Sequence, residues 1–325
     1  MKEAFANVRP ACDFQGVLSD EAAVAVVNGR MEAMNRFLTV SQPCGLPDFA
    51  VAAGDLDFAL RKVEDPSVNV TDSNIILKGG GTTRVRLLPT RKPFTKPDVE
   101  THPIKDLADL MGAIDDVYPF TEGDPARPWS EGARFDDTTV TATNSVVLCQ
   151  AVLESACGFD GVTVSRSALT YIRLRRAHLK AWGISERGLL LEFDDGGWAF
   201  ASRMTMEMPD AAVGLVNMIN DWSGLAQVEP AYRNAVLAAA EWADSTDDTT
   251  TVFADRVQAG RLSSEHDEPA ETNLTDPDVP AVFAAKALVA VMSGADQIAF
   301  DRFPNPVPFK TKRGSRGMLA GRTTS

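Results

Sequence analysis

Three short stretches alternate apolar and polar positions around a central alanine: "RMEAMN" from Arg30, "TVTATN" from Thr139 and "RVQAGR" from Arg256. Alternation at period two turns one face to a core and the other to water, so each is expected to be a half-buried strand. Helical periodicity lies around them. In "AAGDLDFALRKVED" (52–65), Leu56, Ala59, Leu60 and Val63 fall at i, i+3, i+4 and i+7, one apolar helix stripe. "NIILKGGGTTRVRLL" then reads as strand, glycine turn, strand. The order recurs with a helix over 166–182 followed by "GLLLEFDDGGWAFASRM". A third copy is a helix over 281–296 ("AVFAAKALVAVMSGAD"), then "QIAF" and the terminal "RGMLAGR". A first helix is expected before each strand set, at Lys2–Val8, Ile104–Val117 and Pro230–Ala243; proline suits the first turn of the last.

The chain thus reads as three copies of about 110 residues, each helix, strands, helix, strands. The expected domains are 1–98, 99–212 and 213–325, with linkers near the proline-rich "PTRKPFTKPDVETHP" (89–103) and over 208–227. The acidic run 263–280 is expected to be an exposed loop. A length of 325 residues exceeds one core and agrees with two or three domains.

Charge sharpens this picture. Lysine and arginine number 32 against 45 acidic residues, a net charge of −13. A protein that coats nucleic acid with its whole surface is therefore excluded, but a local basic face is not. "SALTYIRLRRAHLKAWGI" supplies one. If it is helical throughout, Arg166, Arg173 and Lys180 form a stripe with Arg176 beside it, while Ala168, Ile172 and Leu179 face a core. Arg61, Lys62, Arg233 and Lys286 stand on the other helices. No exposed aromatics interleave with these cations as in single-strand binders, so duplex phosphates read without sequence preference suit them better.

Other chemistry is sparse. "KGGGTT" (78–83) has the wrong order for a phosphate loop and reads as a hairpin turn. "FDDTT" and "FDDGG" sit at strand ends and read as turns. Cys12, Cys44, Cys149 and Cys157, with His102, His178 and His266, show no metal spacing; free thiols and no metal or cofactor are expected. No nucleophile elbow or zinc motif is present, which argues against an enzyme. No apolar run is long enough to span a bilayer, and "MKEAFANVRPACDF" lacks a signal-peptide core, so an intracellular, cytoplasmic protein is expected.

The order of these elements, with several local phrases, resembles the DNA sliding clamps, the polymerase processivity factors, and above all the bacterial β clamp and its phage relatives. "FAVAAGDLDFALRKVEDPSVNVTDSNIILKGGGTTRVRLLPT", "TVTATNSVVL", "GVTVSRSALTYI", "MTMEMPD" and "RGMLAGR" carry the likeness over nearly the whole chain. It implies an α+β clamp fold of three similar domains, each with two helices packed on antiparallel sheets. It implies a head-to-tail homodimeric ring around double-stranded DNA, and as partners a replicative polymerase and a clamp loader. The cations at Arg61, Lys62, Arg166, Arg173, Arg176, Lys180, Arg233 and Lys286 would then meet duplex phosphates. Carried across, the family's peptide pocket falls on Thr143, Ser145 and Leu148, on Pro209, Val213 and Leu215, and on Met318, Leu319 and Arg322. Ser145-Val146 and Ala320-Gly321 depart from the family's pattern, so partner specificity is expected to differ. Two readings compete. A β-rich viral structural or interaction protein without DNA binding would not need cations on equivalent helices. An enzyme with dispersed catalytic residues would need a perturbed carboxylate or histidine in a pocket.

Overall fold

The computed structural model describes residues 1–12, 14, 23–121, 126–204, 206–219, 221–242, 249–252, 256–261, 264–269 and 281–322. From the N-terminus come α1 (Lys2–Val8), β1 (Ala23–Val27), β2 (Arg30–Met34), β3 (Leu38–Pro43), β4 (Phe49–Ala52) and α2 (Ala53–Lys62). Then follow β5 (Ser67–Val70), β6 (Asn74–Lys78), β7 (Thr82–Arg86), β8 (His102–Pro103), α3 (Leu107–Val117), β9 (Gly132–Asp136) and β10 (Thr139–Thr143). Next are β11 (Val147–Val152), β12 (Val162–Ser165), α4 (Arg166–Leu174), β13 (Leu179–Ile184), β14 (Gly188–Phe193) and β15 (Trp198–Ser202). After α5 (Asp210–Val213) come β16 (Ala226–Gln227), α6 (Pro230–Ala240), β17 (Thr249–Val252), β18 (Arg256–Arg261) and β19 (Ser264–Pro269). The chain closes with β20 (Ala281–Ala284), α7 (Ala285–Gly294), β21 (Ala295–Ile298), β22 (Val307–Thr311) and β23 (Arg316–Leu319).

All three alternating stretches are strands, β2, β10 and β18, as their period demands. Gly80, at φ +64, turns the β6–β7 hairpin, so "KGGGTT" is the expected turn.

The elements form two compact units, Met1–Leu107 with Ser167–Met204, and Ala108–Arg166 with Thr205–Ser325. The first holds an antiparallel eight-stranded sheet in the order β4-β1-β2-β3-β15-β14-β13-β8, and a three-stranded sheet β5-β6-β7. The second holds β12-β9-β10-β11-β23-β22-β21-β16 and a four-stranded sheet β19-β18-β17-β20. Each eight-stranded sheet is thus two four-stranded halves meeting at one central pair, β3 with β15 or β11 with β23. Helices cover the sheets with their apolar faces. On α2, Leu56, Ala59 and Leu60 are buried while Arg61 and Lys62 point to water.

Four expectations are corrected. The helix over 166–182 stops at Leu174, and Lys180 and Trp182 belong to β13. The helix over 281–296 is a strand, a ten-residue helix and a second strand. Its opening "AVFA" is a short apolar run buried against β17, which periodicity alone cannot tell from helix. The run 263–280 is not wholly a loop, since 264–269 pair with β18; residues 270–280 lie outside the described residues. The helix from Pro230 ends at Ala240, and Ala243 is likewise outside them. Among the described residues no helix is long and apolar enough to cross a membrane.

Candidate nucleic-acid interface and peptide groove

The basic helix is built from its apolar face upward. Ala168, Leu169, Tyr171 and Ile172 are buried, with the Tyr171 ring edge-on to Phe193 at 5.6 Å. The helix ends because Arg175 turns inward. It is 2% exposed; one guanidinium nitrogen donates to Gln42 Oε1 at 2.6 Å and another to Asp195 Oδ2 at 2.5 Å, above the Phe193 ring. Gln42 Nε2 closes the set by donating to Asp195 at 2.9 Å. Burial opposes ionisation of Asp195. The Gly197 N–H, Gln42 and Arg175 outweigh it and hold that carboxyl below its ordinary range.

The expected single stripe is therefore divided. Arg173 is half-buried on α4, Arg176 exposed in the following turn, and Lys180 exposed on β13 between buried Leu179 and Ala181. Arg166, at the start of α4, donates to Thr121 Oγ1 at 2.9 Å with its guanidinium 4.6 Å from the Tyr118 ring centre.

The other cations differ in commitment. Arg61 pairs with Asp57 one turn back, and Arg9 reaches the same carboxylate at 3.0 Å; the hydrogen bond from Arg9 is the main reason that Asp57 titrates below its ordinary range. Lys62 leans over Phe58, 5.6 Å from its centre. Arg233 donates to the carbonyls of Met292 and Ala295, the latter at 2.6 Å, so it caps the last turn of α7. Lys286 is exposed at the start of α7.

The second constellation lies in the other unit, where β11 meets β23. Thr143 is buried opposite Leu148, and Leu148 pairs across the sheet with Met318. Ser145 sits at φ +74 in the β10–β11 turn, where Asn144 Oδ1 accepts the N–H groups of Val146 and Val147 at 3.1 and 2.8 Å. Leu319 points to the opposite face and is fully buried, and Arg322 is exposed with its N–H on the Val282 carbonyl. From the connection, Pro209 caps α5 and is exposed, Val213 is half-buried, and Leu215 is exposed.

The residues that pack on Leu148 and Met318 are instead Val216, Ile219 and Trp222. These were not among the residues named from sequence. Their signal is a spacing of three, Val213, Val216, Ile219, Trp222, which is the period of the 3-10 helix that residues Gly214–Met218 form.

Acid, metal and thiol chemistry have little to work with. Among the described residues no three His, Cys, Asp or Glu side chains gather as a metal site. The four cysteines are free. Burial pushes the Cys12 thiol up to about 12 and raises that of Cys149, which is the reverse of what a nucleophile needs.

No family model and no curated protein matches the sequence. Solved structures do match. The β sliding clamp of Caulobacter crescentus shares 16% identity at a TM-score of 0.76, over 99% of this chain and 96% of that one. The clamp of Bartonella birtlesii, DNA polymerase III subunit beta bound to griselimycin, shares 13% at 0.74, over 99% and 96%. The Helicobacter pylori β clamp, solved with a DNA ligase peptide, shares 12% at 0.66, over 99% and 97%. Identity at this level speaks for architecture: the chain has the fold of the β sliding clamps.

Proposed function

We propose that the chain is a DNA sliding clamp, a non-enzymatic processivity factor that encircles duplex DNA and tethers a replicative polymerase. The observation that carries this reading is the clamp fold, continuous over 99% of the chain. On the same reading the chain divides into three clamp domains, 1–98, 99–212 and 213–325.

The sheets support a head-to-tail pair of chains. Two sheets are complete at eight strands, each from two four-stranded halves, while β5-β6-β7 and β19-β18-β17-β20 have three and four. A second copy would join the short sheet of one chain to that of the other. The sequence charges match: β6 and β7 carry Lys78, Arg84 and Arg86, and β19 carries Glu265, Asp267 and Glu268.

Within such a ring the helix cations would meet phosphates through mobile, solvated side chains. Each contact is weak and blind to sequence, so the ring can slide, and linkage rather than affinity retains it. Lys62 and Lys286, exposed on α2 and α7, are the best placed of the eight. Arg166 and Arg233 spend part of their donor capacity within the chain. The groove at Leu148 and Met318 would take short peptides from the polymerase or its loader; the Helicobacter pylori β clamp was solved bound to a DNA ligase peptide.

Two measurements test the proposal. Sedimentation should give twice the 35.0 kDa chain mass. Replacing Arg173, Arg176 and Lys180 together with alanine should flatten the salt dependence of duplex binding by about 0.9 in log–log slope per lost phosphate contact. A monomer at micromolar concentration, or a triple variant with the parent's slope and processivity, defeats the reading.

A further inference from the structure

The groove already holds a piece of its own chain. Trp222 packs with Ile219 on Leu148, Val216 and Met318, and strand residues grip it from several sides. Lys310 Nζ donates to the Trp222 carbonyl at 3.0 Å, and the Arg316 guanidinium stands 5.3 Å from the indole centre. Arg302 holds the flanks. It donates to the Asp221 carbonyl, to the Asp221 carboxylate at 3.2 Å and to the Ser223 carbonyl at 2.7 Å. Three cations thus converge on one Asp-Trp-Ser segment.

This grip is of the kind that binds peptides: one aromatic anchor on an apolar seam, with hydrogen bonds aimed at main-chain carbonyls. It is also shallow. Asp221, Ser223, Leu215 and Met218 are exposed, and the Arg302–Asp221 pair faces water, where ion pairs are screened.

We infer that residues 219 and 221–223 are an in-chain occupant of the groove, and that a partner peptide displaces them with the same chemistry, an aromatic residue directly after an acidic one. The inference rests on the reading of this seam as a peptide site. A tethered occupant competes at an effective concentration on the order of millimolar, which lowers the apparent affinity of every partner. It also selects among them. A purely apolar peptide would evict Trp222 but leave Arg302 and Arg316 without the partners they now hold, a built-in penalty.

The test uses the full chain and a fluorescein-labelled hexapeptide, Ile-Asn-Asp-Trp-Ser-Gly, copied from residues 219–224. Binding is read by anisotropy to the parent, to Leu148→Asp, to Trp222→Ala and to Trp222→Ala combined with Leu148→Asp. The single variant should bind at least tenfold tighter than the parent, the double variant should lose the gain, and a peptide with lysine in place of its aspartate should bind the single variant at least tenfold more weakly. Equal affinity for parent and Trp222→Ala, both sensitive to Leu148→Asp, overturns the inference and leaves the groove standing. Binding that ignores Leu148→Asp overturns the groove itself. If Trp222→Ala does not stay folded, Asp221→Ala carries the same comparison, because it loosens the in-chain segment while leaving Arg302 for the aspartate of the peptide.

Discussion

The two eight-stranded sheets solve one problem in two ways. Each must join two four-stranded halves at a central pair. At the β3–β15 seam the join is polar. Arg175, Gln42 and Asp195 interlock, and beside them buried Glu32 accepts from Ser41 Oγ and the Phe94 N–H, both at 3.0 Å, while Arg30 reaches Ser41 and the Gly196 carbonyl. At the β11–β23 seam the join is apolar: Leu148 lies against Met318 and Cys149 against Gly317, and from its other side Gly317 is pressed by the Phe309 ring of β22. Buried polar groups are satisfied only in one geometry, so the first seam has a fixed register and nothing to offer a ligand. An apolar seam is content with any apolar cover. The second seam can therefore exchange what lies on it.

The sharpest way to break this contrast is to remove one partner from the polar seam. Asp195→Ala takes the carboxylate from the buried Arg175 guanidinium; because Asp195 itself is exposed, the cost should be about 1.5–3 kcal/mol in urea unfolding. A loss under about 1 kcal/mol would mean that the network follows the register instead of fixing it. The matching change in the apolar seam is Gly317→Ala. A Cβ there would stand 2.0 Å from Phe309 Cζ, whose ring is fully buried, so overpacking should cost about 1–3 kcal/mol. If Gly317→Ala proved the more damaging of the two, the apolar seam would be the rigid one.

Much of this was legible along the chain, and the failures have physical causes. Period-two alternation located β2, β10 and β18, because each strand has one buried face. The stripe on α2 was readable for the same reason. The end of α4 was not. It depends on Arg175 finding Gln42, 133 positions away, and Asp195, 20 positions away, and no local window contains those partners. An arginine flanked by Arg173 and Arg176 looks like one more surface cation until the fold buries it. Arg233 fails alike: only the arrival of α7 gives it carbonyls to cap. Leu148 and Met318 were named for the groove, but its cover, Val216, Ile219 and Trp222, is written in a three-residue period unlike that of strand or α-helix.

Acid separates the seams by a smaller margin. The carboxyl of Asp195 is held below its ordinary value, so its contribution is complete above about pH 4, the unfolded carboxylate value, and is lost as pH falls through the lower folded value. Parent stability should drop over that window in urea melts, and Asp195→Ala should lack that drop. A profile for Asp195→Ala that tracks the parent would remove the polar seam from the acid response.

The smallest effect has the opposite sign and comes from the same seam. Burial raises the carboxyl of Glu32 above its ordinary value, although the Phe94 N–H and Ser41 both favour its charged form. A raised acid binds its proton more tightly folded than unfolded. Glu32 is thus a burden when ionised, and stability grows as pH falls through its folded value towards the unfolded one. Glu32→Gln keeps an oxygen for the Phe94 N–H and can donate to Ser41 Oγ, so it should change stability at neutral pH by no more than about 1 kcal/mol. Its mark should be the pH profile: as pH falls through the raised folded value of Glu32 towards the ordinary carboxylate value, the parent gains on the variant, before the loss at Asp195 sets in. Urea midpoints of the two proteins at half-unit pH steps read the difference directly. Parallel curves over that range would show that folding does not raise the Glu32 carboxyl, and that its burial in the seam is no burden when it is ionised.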